Sequence, residues 1–318
     1  MPGTFSHMLA ADTARLAAEA QGLDLIARCT LKFPQWLQAG TVGPDYPYLH
    51  HLQTGDKSES WADLMHYERS GDVVRAGVEW LSDWPGDRES KQFQRAVAWL
   101  SGYLAHVILD VSIHPVVRAT VGEYAENKKE HRICEMTMDS FIFKDLLGTE
   151  LVNDEWADYL RHTSDDNGEG MDQSIKAIWG HMLKTVYPQK YAQQPPAFDG
   201  WHKGYVNAID LADNKLILFR HAATDNGLMY ADSKAIPKAA LTKYVEKAKT
   251  PQPNRFGAQD MHYRDIFKFG VDNIVEYWAV VNAALEGEGD ISMPSLANWN
   301  LDTGTTDPAG EGDATLWV

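Results

Sequence analysis

Apolar positions along this chain recur at intervals of three and four residues rather than two, the period of one face of an α-helix. The densest pattern is WLSGYLAHVILDVSIHP, from Trp99 to Pro115. Tyr103, Leu104, Val107, Ile108, Leu109 and Val111 make it apolar enough for an interior helix. Set into it are His106, Asp110 and His114 at successive i, i+4 spacings, which stack on one face. Imidazole and carboxylate groups inside an apolar helix are costly unless something satisfies them. A cluster of divalent cations does so. The helix is expected to start near Ser90, and Pro115, lacking a backbone N–H, predicts its end.

Helices are expected on both sides of it. HMLAADTARLAAEAQ, from His7, reads as a helix capped by Ser6. A second, about Leu23 to Leu37, accommodates Pro34 near its end. GTVGPDYPYLHH, rich in Gly and Pro, reads as an irregular loop carrying Asp45. SWADLMHYERSGDVVRAGVEWL reads as one helix from Ser60, with His66 in its second turn. After a loop through Glu123–Asn127, KKEHRICEMTMDSFIFKDLL presents His131, Glu135 and Asp139 on one face. Further helices are predicted at about Asp154–His162, Met171–Tyr187, Tyr205–His221, Pro237–Lys249 and Ile266–Leu285. PQKYAQQPPAFDG and KTPQPNRFGAQD read as polar loops. With no period-two run long enough for a sheet and no internal repeat, the prediction is an all-α multi-helix bundle. Residues 1–286 form its single domain; the Gly-, Asp- and Thr-rich tail 287–318 is expected to wrap the surface or be partly disordered.

Composition narrows the partners. A formal net charge of -16 over 318 residues argues against a duplex-DNA binder that relies on neutralising phosphates. It leaves a nuclease open, because a metal cluster supplies positive charge locally. Cys29 and Cys134 are too few for a disulfide framework and read as buried small hydrophobes. No apolar run approaches the ~18–20 residues of a membrane span, so membrane contact is expected to be peripheral at most. As written, the amino terminus carries no signal peptide.

Seven of the 12 histidines lie before residue 132. In chain order stand His7, Asp45, His66, His106, Asp110, His114, His131 and Glu135. Neutral imidazole with carboxylate suits Zn²⁺, and two separate helices each carry an H-x3-[DE] pair on one face. His50 and His51 compete with His66 as ligands. Asp139 reads either as the acceptor for a ligand histidine's other N–H or as a solvated surface group. Trp61 reads as structural. The late histidines read as scattered polar residues, with His202 in GWHKGY a candidate for lining a cleft.

PGTFSH at the start, QAGTVGPDY (38–46), SWADLMHY (60–67), GYLAHVILDVSIH (102–114) and HRICE (131–135) occur in this order. In these five motifs the chain resembles the zinc-dependent phospholipase C and single-strand nuclease superfamily, over roughly its first 135 residues. The resemblance implies an all-α bundle with three zinc ions at the base of a cleft. It assigns one zinc to Asp45, His66, His106 and Asp110, and a second to His114, His131 and Glu135. A third takes His7, a bridging Asp110, and the backbone nitrogen and carbonyl of the first mature residue. That residue is Pro2 if Met1 is removed, whereas relatives begin with Trp or Cys. Loss of this position leaves at least two zincs.

The implied chemistry is phosphodiester hydrolysis by metal-activated water, with Asp45 orienting or deprotonating the water or acting as a plain ligand. Tyr46 matches a tyrosine that contacts the choline head group in bacterial phospholipases; packing is its other reading. QAGTVGPDY and the glutamate at 135 favour a phospholipase C that acts on phospholipid head groups. The alternative is a single-strand nuclease or nucleotidase using the same cluster. A non-catalytic protein with closed structural zinc sites is a third reading, disfavoured by a second site with only three apparent protein ligands. Resemblance also implies export or secretion, with a cytoplasmic location as the alternative.

Overall fold

The structure, a computed structural model, describes residues 3–151, 161–165, 168, 170–213, 232–289 and 296–318. Pro2 therefore lies outside the described residues, as do most of the helix expected at Asp154–His162 and the end of that at Tyr205–His221. Helix α1 is Thr4–Ala20 and begins before the expected Ser6 cap. Ser6 sits in its first turn, and both its N–H and its hydroxyl donate to the Asp139 carboxylate from another helix. An acidic group at a helix N-terminus is favourable, so α1 is capped from outside.

Three helical segments depart from the expected elements, two of them because of proline. The single helix over Leu23–Leu37 is in fact two, α2 (Asp24–Lys32) and α3 (Pro34–Thr41), separated by the non-helical Phe33. Pro34 opens α3, a position where its missing N–H has no intrahelical partner to lose. The segment expected as an irregular loop is a 3₁₀ turn, Gly43–Asp45, and helix α4, Tyr46–Thr54, each with a proline in its first positions. The helix from Ser60 is likewise two, α5 (Glu59–Tyr67) and α6 (Ser70–Ser82). Between them Glu68 is extended and Arg69 takes φ 57°, a left-handed conformation uncommon for a residue with a Cβ. Its guanidinium holds the turn by bonding Val186 O at 2.6 Å and Asp72.

Helix α7, Lys91–Val121, is the axis of the bundle. Ser90 caps it by accepting from Phe93 N–H at 3.2 Å. Pro115 does not end it. An internal proline costs ~3 kcal/mol, but Val116 and Val117 beyond it are wholly buried, and such burial contributes roughly 1.5–3 kcal/mol each. The helix stops instead at Gly122, φ 90°. By length and composition α7 also contains an 18-residue window long and apolar enough to cross a membrane, contrary to the reading of the bare sequence. All of that window is buried inside the protein, where a core helix passes the same test.

Around α7 pack α1, α2, α3, α6 and three later helices: α8 (Tyr124–Leu147), α9 (Gln173–Val186) and the final long helix described below. The closest approach is to α3, where Gly40 meets Gly102 backbone to backbone. A Cβ on Gly102 would lie 2.0 Å from Leu37 O, and one on Gly40 2.1 Å from Trp99 O. Helix α8 starts earlier than expected, with a non-helical Asn127 inside it. The loop expected at PQKYAQQPPAFDG contains α10, Pro188–Gln193, and leads to α11, Phe198–Asp213. Helix α12 (Lys238–Leu241) continues into a π-helical turn, Thr242–Glu246. Two-residue strands β1 (Ala248–Lys249) and β2 (Asp260–Met261) pair antiparallel, and α13, Tyr263–Glu286, closes the bundle.

The described tail is no loose wrapping. Trp299, Leu301 and Trp317 are wholly or almost wholly buried. Trp317 Nε1 donates to Ser112 O in α7 at 2.9 Å, and Ser70 Oγ donates to Trp299 O at 2.9 Å.

Candidate metal centre

The interior face of α7 presents His106, Asp110 and His114, all at most 3% exposed. Each neighbouring element delivers one more group. The external cap on α1 places His7 so that Nε2 lies 3.2 Å from Asp110 Oδ1, with its ring stacked 4.2 Å from that of His106. The Gly40/Gly102 contact brings the end of α3 against α7, and Thr41 O there accepts from His106 Nδ1 at 2.8 Å. The 3₁₀ turn then sets Asp45 Oδ1 3.4 Å from Nε2 of His66, near the end of α5. His66 Nδ1 donates to Ala62 O at 2.7 Å and His114 Nδ1 to Leu301 O at 2.6 Å. Backbone carbonyls thus fix the Nδ1–H tautomer of His66, His106 and His114. That turns Nε2, rather than Nδ1–H, toward the interior of the site, as ligand histidines require.

Among the described residues two groups have ligand atoms all within 4.8 Å of one another: His7, His106 and Asp110, and Asp45, His66 and His106. They share His106. Asp110 Oδ2 lies 3.1 Å from His106 Nε2, and its Oδ1 3.8 Å from His114 Nε2. Yet neither ring nitrogen of His7, nor His106 Nε2, His114 Nε2 or either oxygen of Asp110, makes a hydrogen bond. A buried polar group left this way costs ~1–3 kcal/mol. Atoms that converge at near-ligand spacing without bonding one another are a site shaped for a cation. The donor set, imidazole nitrogen plus carboxylate oxygen, fits zinc.

The protonation states agree. Burial pushes His7 down to about 4 and His114 down to about 3, with Asp110 opposing in both cases, so both imidazoles are neutral at pH 7. Burial also opposes a charge on His106, but Asp110, Asp45 and the Thr41 carbonyl together outweigh it and the pKa is raised. For Asp110, burial favours protonation and is overridden by His106, His114 and His7, which hold the carboxyl well below its usual range. A metal ion arriving here displaces a proton.

The set expected for the second zinc is more widely spaced. Among the described residues His114, His131 and Glu135 do not form a group within 4.8 Å. His131 donates Nε2–H to Gly122 O at 2.7 Å, so its lone pair is on Nδ1. His131 and His114 line the same cavity, of about 240 Å³, and Glu135 is buried. Asp139 accepts from the N–H and hydroxyl of Ser6, and His50 pairs with Asp56 Oδ2 at 3.2 Å. Tyr46 is 2% exposed, stacked 4.7 Å from Tyr205 and 6.2 Å from His202, surroundings that describe packing. His202 is buried with it.

Two residues near the centre escaped the sequence. Arg118 lines the 240 Å³ cavity and continues the i, i+4 stripe one turn past His114. It was hidden by reading Pro115 as a stop. Asp302 lines the same cavity from the tail; burial favours its protonated form, but His114, His66 and the Tyr67 hydroxyl lower its pKa. The only available signal was Trp299 and Leu301 set in an otherwise polar segment.

The family model for zinc dependent phospholipase C matches residues 3–188, more than half of the chain. The chain belongs to the zinc-dependent phospholipase C family. No curated protein and no solved structure matches it. Membership makes it a zinc-dependent hydrolase with the all-α fold of that family. The matched region runs from α1 through α9 and contains every histidine and carboxylate of the centre except Asp302.

Proposed function

We propose that this chain is a phospholipase C that cleaves the glycerol–phosphate ester of phospholipids and releases the phosphorylated head group. The observation that carries the reading is the pair of buried triads sharing His106, in which both ring nitrogens of His7, His106 Nε2 and both oxygens of Asp110 make no hydrogen bond. In this reading Asp45, His66, His106 and Asp110 hold one zinc and His7 with Asp110 a second, joined by the backbone of Pro2 where it is the first residue. His114, His131 and Glu135 hold a third. When bound, zinc supplies Lewis acidity toward the phosphate and acidifies the attacking water.

The chain's own groups do the rest. Asp110, within 3.1–3.8 Å of His106, His7 and His114, balances the charge between the metal positions. Asp45, carried on a rigid 3₁₀ turn, orients the water and takes its proton. Arg118, paired with Glu123 at 2.7 Å, stands at the cavity wall, where an anionic phosphodiester competes with that carboxylate for its guanidinium. The test is zinc content per chain together with hydrolysis of a phospholipid head-group panel and of single-stranded DNA, with Asp110→Asn beside the parent. Release of phosphorylated head groups that stops on chelation and returns with zinc supports the reading. Preferential cleavage of single-stranded DNA replaces it with the nuclease, and tightly held zinc without turnover replaces it with a structural role.

A further inference from the structure

The carboxy-terminal segment passes directly behind the metal centre. Leu301 N–H donates to His66 O at 2.8 Å, while Leu301 O accepts from His114 Nδ1 at 2.6 Å. The next residue, Asp302, has Oδ1 3.8 Å from that same Nδ1. Its Oδ2 accepts from the Tyr67 hydroxyl at 2.9 Å, and its backbone N–H donates to Asn300 Oδ1 at 3.0 Å. Two residues on, Gly304 at φ 68° lies so close to α7 that a Cβ would stand 2.7 Å from Pro115 Cγ and 2.9 Å from Val111 O. The strap is therefore pinned on both sides of Asp302, and the carboxylate has little room to move.

Its place relative to the imidazole matters. The Nε2 edge of His114 faces Asp110, and the Nδ1 edge faces Asp302. Leu301 O takes the Nδ1–H itself; the carboxylate 3.8 Å behind it adds negative charge that strengthens the hold on that proton and on the ring's orientation and makes the opposite nitrogen a better donor. We propose that Asp302 is a positioning residue for His114, supplied by the tail, which aims His114 Nε2 at the metal cluster. Nothing in the matched region 3–188 contains it. The inference rests on the zinc reading above.

The test is titration of the metal-depleted full chain with Zn²⁺, followed by calorimetry and by competition with a chromophoric chelator. Asp302→Asn keeps the shape and removes the charge; it is expected to weaken the zinc position that uses His114 by roughly 10- to 100-fold. Asp302→Glu restores most of that loss. Tyr67→Phe, which removes the hydroxyl holding Oδ2, shifts affinity in the same direction by less. Metal-free melting temperatures stay at the parent value in all three. Unchanged zinc affinity in Asp302→Asn, or a loss seen only as lower metal-free melting, overturns the proposal and leaves the zinc reading standing. A parent chain that takes up no zinc overturns both.

Discussion

The contact between Gly40 and Gly102 ties the bundle to the metal centre, and Gly102→Ala tests that link. The new Cβ would sit 2.0 Å from Leu37 O and 2.9 Å from Gly40 Cα. Those are backbone atoms with no rotamer to yield, so α3 must retreat by roughly 1 Å or more to reach ordinary van der Waals separation. Overpacking of this kind costs ~1–3 kcal/mol. The hydrogen bond from His106 Nδ1 to Thr41 O, 2.8 Å long, is stretched past its useful range, at a net loss of ~1 kcal/mol. Alanine's better helix propensity returns up to ~1 kcal/mol. A net destabilisation of ~1–3 kcal/mol remains, a fall in melting temperature of about 1–5 °C by calorimetry. Because Thr41 O orients a shared ligand, zinc affinity is expected to drop roughly 10- to 100-fold as well. Gly77→Ala is the control: its Cβ meets the flexible end of Leu100 at 2.8 Å and lies away from the ligands. Gly102→Ala with parental melting and parental zinc affinity would show that the close crossing does not position His106.

Three further outcomes follow from the same geometry. Asp110→Asn removes the negative charge facing His7, His106 and His114, so emission spectrometry should find at least one zinc fewer per chain; undiminished zinc content would remove Asp110 from the ligand set. Chelation should lower the melting temperature reversibly, since zinc at 1,000 times its Kd contributes ~4 kcal/mol; a melting curve indifferent to chelator and to added zinc contradicts a resident metal. His202, held down to about 4 chiefly by burial, binds its proton more weakly folded than unfolded. Its stabilising effect is therefore intact above pH ~6.5 and lost as pH falls toward about 4. His202→Gln should flatten the decline of metal-free stability across that window by up to ~3 kcal/mol, and a parental pH dependence in denaturant titrations counts against the assignment.

The legible parts of this protein are those whose cause is local. The stripe of His106, Asp110 and His114 follows from i, i+4 spacing alone, and the all-α class from the apolar period. Proline was ambiguous because its effect depends on what packs around it. Pro34 and Pro44 open helical turns, whereas Pro115 lies inside a helix that burial of Val116 and Val117 carries onward. The letters leave Asp139 open between a partner for a ligand histidine and a solvated surface group; it is wholly buried and caps α1 through Ser6, 133 positions away in sequence.

What orients the ligands was illegible for a different reason. His106 is held by Thr41 O, His66 by Ala62 O, His114 by Leu301 O and His131 by Gly122 O. A backbone carbonyl is present at every residue, so nothing in the letters Thr, Ala, Leu or Gly marks these four as acceptors. Ala62 lies four residues before His66 in its own helix and Gly122 at the turn between α7 and α8, but helix packing selects Thr41, and for His114 the acceptor arrives from 187 residues along the chain. The centre is thus written twice: once in side chains at helical spacing, and once in the glycine contact and buried tail residues that bring the Thr41 and Leu301 carbonyls to the backs of His106 and His114. Substitutions at Gly102, Gly304 or Trp299, none of which carries a ligand atom, should for that reason loosen metal more than their distance from it suggests.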